Sequence, residues 1–274
     1  MHSFKMFKIS AVVMCASEFI IVSWTQQSPP VFGHVHIAKT GGSSLNRVLA
    51  REFHGVCGHK GYSYDQPLND VIRSANSTRY PEYGPDRVHP AVMRERGFHN
   101  CALISLEESW RAWAFLPSLF KTSVKVMLLP CRNPIDHVLS MCNHKGLPTS
   151  ILQRNCSRIT ECFIELNRFD TRMARFFDLV FLFHYLNISV VEKFVGAHMT
   201  KRSFPLEITQ AYSTNIPRQK HNENLYACQS TIGDILTRIK YFKICDSFLL
   251  KSQLQSVIVP AARIFGLKTS ETEN

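Results

Sequence analysis

The chain has 274 residues, enough for one large α/β domain or two small ones and too many for a peptide hormone. It is 45% hydrophobic and 19% charged, with no long low-complexity run, which excludes intrinsic disorder over most of its length. A formal net charge of +11 predicts an anionic ligand or partner: nucleic acid, a phosphorylated or sulfated small molecule, or an acidic membrane surface.

The first residues narrow that choice. Lys5 and Lys8 precede an apolar stretch from Ile9 to Trp24, interrupted only by Ser10, Ser17, Glu18 and Ser23, the pattern of a secretory targeting segment. The stretch falls short of the roughly 20 apolar residues of a comfortable spanning helix, and a mid-span acidic residue adds about 2.5–3.5 kcal/mol to insertion. It reads as a signal-anchor, with a cleaved signal peptide and a buried helix of a cytosolic protein as alternatives. The lysines send the amino terminus to the cytosol and everything after Gln26 to the lumen. The expected organisation is therefore residues 1–26 as cytosolic tip and anchor and residues 27–274 as a single lumenal domain, in the Golgi membrane as a single-pass type II protein or, if cleaved, secreted. The partners expected with it are a membrane at the amino-terminal segment and no nucleic acid.

Two features point the same way. Asn76-Ser-Thr78, Asn155-Cys-Ser157 and Asn187-Ile-Ser189 fit the glycosylation acceptor pattern. Outside the leader stand Cys57, Cys101, Cys131, Cys142, Cys156, Cys162, Cys228 and Cys245, an even set compatible with disulfides in an oxidising compartment. Cys156 with Cys162 is the expected pair, and the absence of Cys-x-x-Cys or paired Cys/His spacing argues against a zinc site.

In chain order, Val31 to Ala38 is β-rich and ends at a glycine turn, Lys39-Thr-Gly-Gly-Ser-Ser44; Leu45, Val48, Leu49 and Phe53 then recur at helical spacing. Residues 54–90, rich in Gly, Tyr, Pro and His, read as a surface excursion with a short helix near Leu68 to Ala75. A strand is predicted at Cys101 to Leu106, a helix at Glu107 to Phe115 and a buried strand at Val124 to Leu129. In the following turn Asn133 is placed to cap a helix that has Pro134 at its first position, Asp136 in its first turn and an end near Lys145. Helices are predicted near Thr160 to Phe176 and Ser189 to Thr200, a strand at Leu179 to Phe183, and a closing helix near Ser247 to Gly266 bent by Pro260. Alternating strands and helices imply a parallel sheet with helices on both faces.

The glycine turn carries chemistry. Between a strand end and a helix start, glycines allow the backbone to aim several N–H groups at one anion, and the helix dipole adds partial positive charge. Lys39 supplies a point charge, and Thr40, Ser43 and Ser44 supply hydroxyls, so the turn suits a phosphate-like group. It is not a nucleotide-triphosphatase loop, which places its lysine after the glycines and directly before a helix-opening hydroxyl.

His36-Ile-Ala-Lys-Thr-Gly-Gly-Ser-Ser-Leu45 resembles the 5′-phosphosulfate loop of Golgi carbohydrate sulfotransferases, particularly the heparan sulfate 2-O and 6-O types. Arg132-Asn-Pro-Ile-Asp-His-Val-Leu-Ser140 is similar to the 3′-phosphate element of the same superfamily. The resemblance rests on these two stretches in the right order; elsewhere the likeness is one of layout. It implies a P-loop-like central parallel sheet flanked by helices, the co-substrate 3′-phosphoadenosine-5′-phosphosulfate (PAPS) with PAP as product, no metal, and a glycan or other hydroxyl-bearing acceptor.

By the same resemblance, Lys39 stabilises the leaving phosphate, Thr40, Gly41, Gly42, Ser43 and Ser44 form the nest, and Arg132 and Ser140 hold the 3′-phosphate, while His137 stands where the family carries a second Arg. Sulfuryl transfer also needs a base at the acceptor oxygen: His99, in a segment just before the strand that precedes the 3′-phosphate element, is the expected one, with Glu107 or Glu108 as alternative. His34 and His36 read as core or strand-edge residues. Arg218 and Lys220 are candidates to close over the nucleotide or meet an anionic acceptor. The rival readings are a non-catalytic lumenal or secreted anion- or glycan-binding protein on the same fold and, less favoured, a nucleotide kinase.

Overall fold

The computed structural model describes residues 28–58, 98–106, 113–147, 155–163, 171–205, 228–250 and 256–265. The elements are β1 (Val31–Val35), α1 (Gly42–Glu52), β2 (Val56–Gly58), β3 (Leu103–Leu106), α2 (Leu116–Leu119), β4 (Lys125–Cys131), α3 (Pro134–His144), β5 (Leu179–His184), α4 (Ile188–Gly196), α5 (Gln229–Arg238), α6 (Lys240–Leu250), β6 (Ser256–Pro260) and α7 (Ala261–Phe265). They build an α/β domain around a six-stranded sheet of order β2-β3-β1-β4-β5-β6. Neighbouring strands are parallel except β6, which runs antiparallel to β5.

The inner strands are apolar on both faces, as a sheet covered on both sides requires. Phe32, Val126, Leu128, Phe181 and Phe183 meet α1 and α4 through Leu45, Leu49, Val191 and Val195. The alternate residues Val31, Val35, Met127, Leu129, Val180 and Leu182 share the opposite core with Val138 and Met141 of α3, Ile232 of α5 and Phe242 of α6. Each such side chain, fully buried, contributes roughly 1.5–3 kcal/mol, so the two cores hold the sheet far more strongly than the exposed ion pair Arg158–Glu161. Among the described residues no helix is long and apolar enough to cross a membrane; the leader, residues 1–26, lies outside them.

Four predicted segments take another form. Within the expected surface excursion, Val56–Gly58 adds an edge strand beside β3. The expected helix over residues 160–176 is, where described, two 3-10 turns at Cys156–Phe163 and Thr171–Arg175. Of the expected helix at 107–115 only the end is described, and the chain there is a turn leading into α2. The closing helix is interrupted: α6 runs to Leu250 and α7 begins at Ala261, but between them the β-branched run Val257-Ile-Val259 pairs with Leu182, Phe181 and Val180. Such a run prefers the pleated surface, and Pro260 stands at the end of an edge strand, where a missing N–H costs least.

The eight cysteines outside the leader are all paired: Cys57–Cys101, Cys131–Cys245, Cys142–Cys162 and Cys156–Cys228. The expected Cys156–Cys162 bridge is thereby replaced by two others. In the 3-10 turn that holds both residues, a rise of about 2 Å per residue sets them about 12 Å apart, beyond disulfide reach of roughly 7 Å between Cα atoms.

Candidate anion site at the carboxyl ends of the strands

The turn after β1 leads into α1 through two residues in the left-handed region, Lys39 (φ 66°) and Gly41 (φ 75°). Between them Thr40 is turned inward: its hydroxyl donates to the Ile37 carbonyl at 2.7 Å and its amide to the same oxygen at 3.3 Å. Thr40 therefore shapes the turn without offering a donor to its mouth. Gly41 permits the positive φ, whereas Gly42 provides space, since a Cβ there would stand 2.0 Å from Cδ2 of His36.

Helix α1 begins with no side-chain cap and no acidic residue in its first turn. Its leading amides, at Gly42, Ser43 and Ser44, precede the first intrahelical bond, from the Leu45 N–H to the Gly41 carbonyl at 3.0 Å. An uncapped helix start of this kind favours a bound anion. Ser43 and Ser44 are half-buried there, and Lys39 likewise.

The turn after β4 is built as predicted. The Asn133 side-chain oxygen accepts the amides of Ile135 (3.0 Å) and Asp136 (3.3 Å), with Pro134 opening α3. Arg132 reaches across to the first turn, Nη1 donating to the Lys39 carbonyl at 2.8 Å. Its guanidinium carbon lies 5.0 Å from the centre of the Tyr185 ring, a cation–π contact. Its Nε is buried without a hydrogen-bond partner. Ser140 is half-buried one turn further along α3 than Asp136.

His137 is fully buried and bonds through Nε2 to the Ala38 carbonyl at 2.8 Å. A carbonyl only accepts, so Nε2 carries the hydrogen. Burial, joined by the Arg132 charge, outweighs that hydrogen bond and lowers the imidazole to about 4. The ring is thus neutral near pH 7 and adds no positive charge beside Arg132.

Tyr185, which the motifs did not single out, joins both turns at the end of β5. Its amide donates to the Cys131 carbonyl at 2.9 Å, its ring faces Arg132, and its carbonyl and Cδ2 lie 3.7 and 3.8 Å from where a Cβ on Gly41 would stand. The available signal was an aromatic residue directly after a buried parallel strand.

The structure brings Lys39, Gly41, Gly42, Ser43, Ser44 and Arg132 to one edge of the sheet, with Ser140 further along α3, and it does not bring His99 there. His99 is exposed in a 3-10 turn that enters β3 at its amino end, and Leu103 is level with Phe32 near the start of β1. The four residues of β3 alone, at about 3.3 Å each, put about 13 Å between that end and the carboxyl edge. His99 thus stands at the amino end of β3, away from the two turns. Glu107, Glu108, Arg218 and Lys220 lie outside the described residues.

His34 and His36 belong to the interior. His34 Nδ1 lies 3.0 Å from Asn46 Oδ1 and 2.9 Å from Ser105 Oγ, and Asn46 Nδ2 donates to Ser105 Oγ at 2.8 Å. Burial, then the neighbouring His36, lowers His34 to about 3, and the two rings stack at 5.6 Å. Among the described residues no group of three or more His, Cys, Asp or Glu side chains is placed to hold a metal ion.

No protein-family model, no curated protein and no solved structure matches this chain.

Proposed function

We propose that the chain is a lumenal, PAPS-dependent sulfotransferase acting on a glycan hydroxyl, on a P-loop-like sulfotransferase fold. The observation that carries this reading is the 2.8 Å bond from Arg132 Nη1 to the Lys39 carbonyl, which makes the two motif turns walls of one site. They follow adjacent strands, β1 and β4, at the point where the order departs to β3 on one side and β4 on the other, the place where open α/β sheets bind ligands.

In this reading the start of α1 and Lys39 receive the phosphosulfate, and Arg132 with Ser140 receives the 3′-phosphate. The acceptor oxygen forms the new S–O bond as the bond from sulfur to the bridging oxygen breaks, leaving PAP. Lys39 and the α1 amides stabilise the charge that gathers on the departing phosphate, and positioning supplies most of the acceleration. The acceptor proton passes to Glu107, which directly follows Leu106, the last residue of β3 at the carboxyl edge.

A second reading, an anion- or glycan-binding protein without turnover, is favoured by the neutral, buried His137. Transfer of labelled sulfate from PAPS to a mixed glycan panel separates the two: incorporation establishes the enzyme, whereas binding of PAP without incorporation supports the second. Stabilisation by ATP with magnesium and not by PAP in a thermal melt would favour a nucleotide kinase and refute both.

A further inference from the structure

We infer that His137 is a positioning residue for the first turn: by holding the Ala38 carbonyl while Arg132 holds that of Lys39, it fixes Lys39 in its left-handed conformation and so sets the anion-facing shape of the loop. The inference rests on the proposed donor site for its ligand, though not for its geometry.

Two consecutive carbonyls, of Ala38 and Lys39, are each bound at 2.8 Å by a side chain of the segment that follows β4. In a trans peptide the N–H points opposite to the C=O, so anchoring the Ala38 oxygen toward α3 turns the Lys39 amide away from it. Lys39 pays a penalty for its φ of 66°, about 1–2 kcal/mol for a residue with a Cβ. Such a conformation persists only where its surroundings over-determine it; the Thr40 bonds to the Ile37 carbonyl close the turn from within, and these two donors hold it from α3.

The imidazole is itself held. It meets the rings of Tyr241 and Phe242 edge-on at 5.5 and 5.6 Å. Tyr241 donates its hydroxyl to the Pro130 carbonyl at 2.7 Å, and Cys245 on the same helix is joined to Cys131. Helix α6 thus seats His137 against the end of β4, and His137 passes that position on to the loop. Fully buried, the ring acts through Ala38 and not by touching a ligand.

The test compares H137F, which keeps an aromatic ring but has no donor, with H137Q, which keeps one. Amide exchange of the peptide covering residues 36–45 and thermal stabilisation by PAP are measured on the full chain. The loss of one hydrogen bond predicts about tenfold faster exchange in that peptide and about tenfold weaker PAP binding in H137F, with both restored in H137Q. Native loop exchange in H137F overturns the inference, and so does exchange that rises equally across β4, α3 and α6, which marks a general packing role. Should H137F fail to fold, H137N, polar but too short to reach Ala38, takes its place with the same expectations. If the wild-type chain does not bind PAP, the donor reading fails while the exchange comparison still decides the positioning role.

Discussion

Acidification should weaken this fold through two histidines that the interior keeps neutral. His34 is lowered to about 3 and His137 to about 4, both chiefly by burial, against an ordinary value near 6.5. Below pH 6.5 the unfolded chain takes up a proton at each residue and the native chain does not, so native stability is full above that pH and is lost as pH falls toward the lowered values. At pH 5 each residue lies about 1.5 pH units below its unfolded value, a loss of about 2 kcal/mol apiece at 1.36 kcal/mol per unit. Together that is about 4 kcal/mol, a large share of a typical 5–15 kcal/mol. Urea unfolding at pH 8 and pH 5, with disulfides intact and ionic strength fixed, measures it. H137Q isolates one contribution, because all other titrating groups cancel between variant and wild type: its acid loss should be smaller by about 2 kcal/mol. Equal acid losses in the two proteins would refute the assignment of a buried neutral imidazole at this position.

Three other outcomes follow from the same geometry. Lys39→Gly should abolish sulfate transfer yet raise stability by about 1 kcal/mol, since glycine adopts φ near 66° without the Cβ penalty; labelled transfer and a urea midpoint report the two effects. Gly42→Ala should destabilise by about 1–3 kcal/mol and weaken PAP binding, because the new Cβ would meet Cδ2 of His36 at 2.0 Å and displace either the ring or the start of α1; thermal melts with and without PAP measure both. Replacing Cys131 and Cys245 by serine opens a loop with a sequence separation of 114, which in the chain-entropy model costs about 5 kcal/mol. PAP stabilisation should fall with it, since Arg132 adjoins that bridge.

The two turns were legible because their signals are local. Asn133 before Pro134 specifies a capped helix wherever it lies, and a lysine and two glycines between a β run and a 3.6-residue period specify a strand-turn-helix unit. What the sequence withheld is set at a distance. Tyr185 belongs to the site only because β5 pairs beside β4, with His184 opposite Cys131. The burial of His137 follows only once the aromatic rings of α6, residues 241 and 242, close over it. Val257-Ile-Val259 is a short apolar run with no periodicity to separate helix from strand, and pairing with β5 decides it.

The place of His99 is likewise set at a distance. Its place before a strand is plain in the chain, but in a parallel sheet the residues that precede a strand and those that follow it are separated by the strand's full length. The segments that leave β1, β2, β3, β4 and β5, and the one that enters the antiparallel β6, share an edge with Lys39. A proton acceptor for a reaction at Lys39 is best supplied by a segment that leaves the carboxyl end of a strand or returns to it, which is why Glu107, next in the chain after Leu106, is the acceptor we propose.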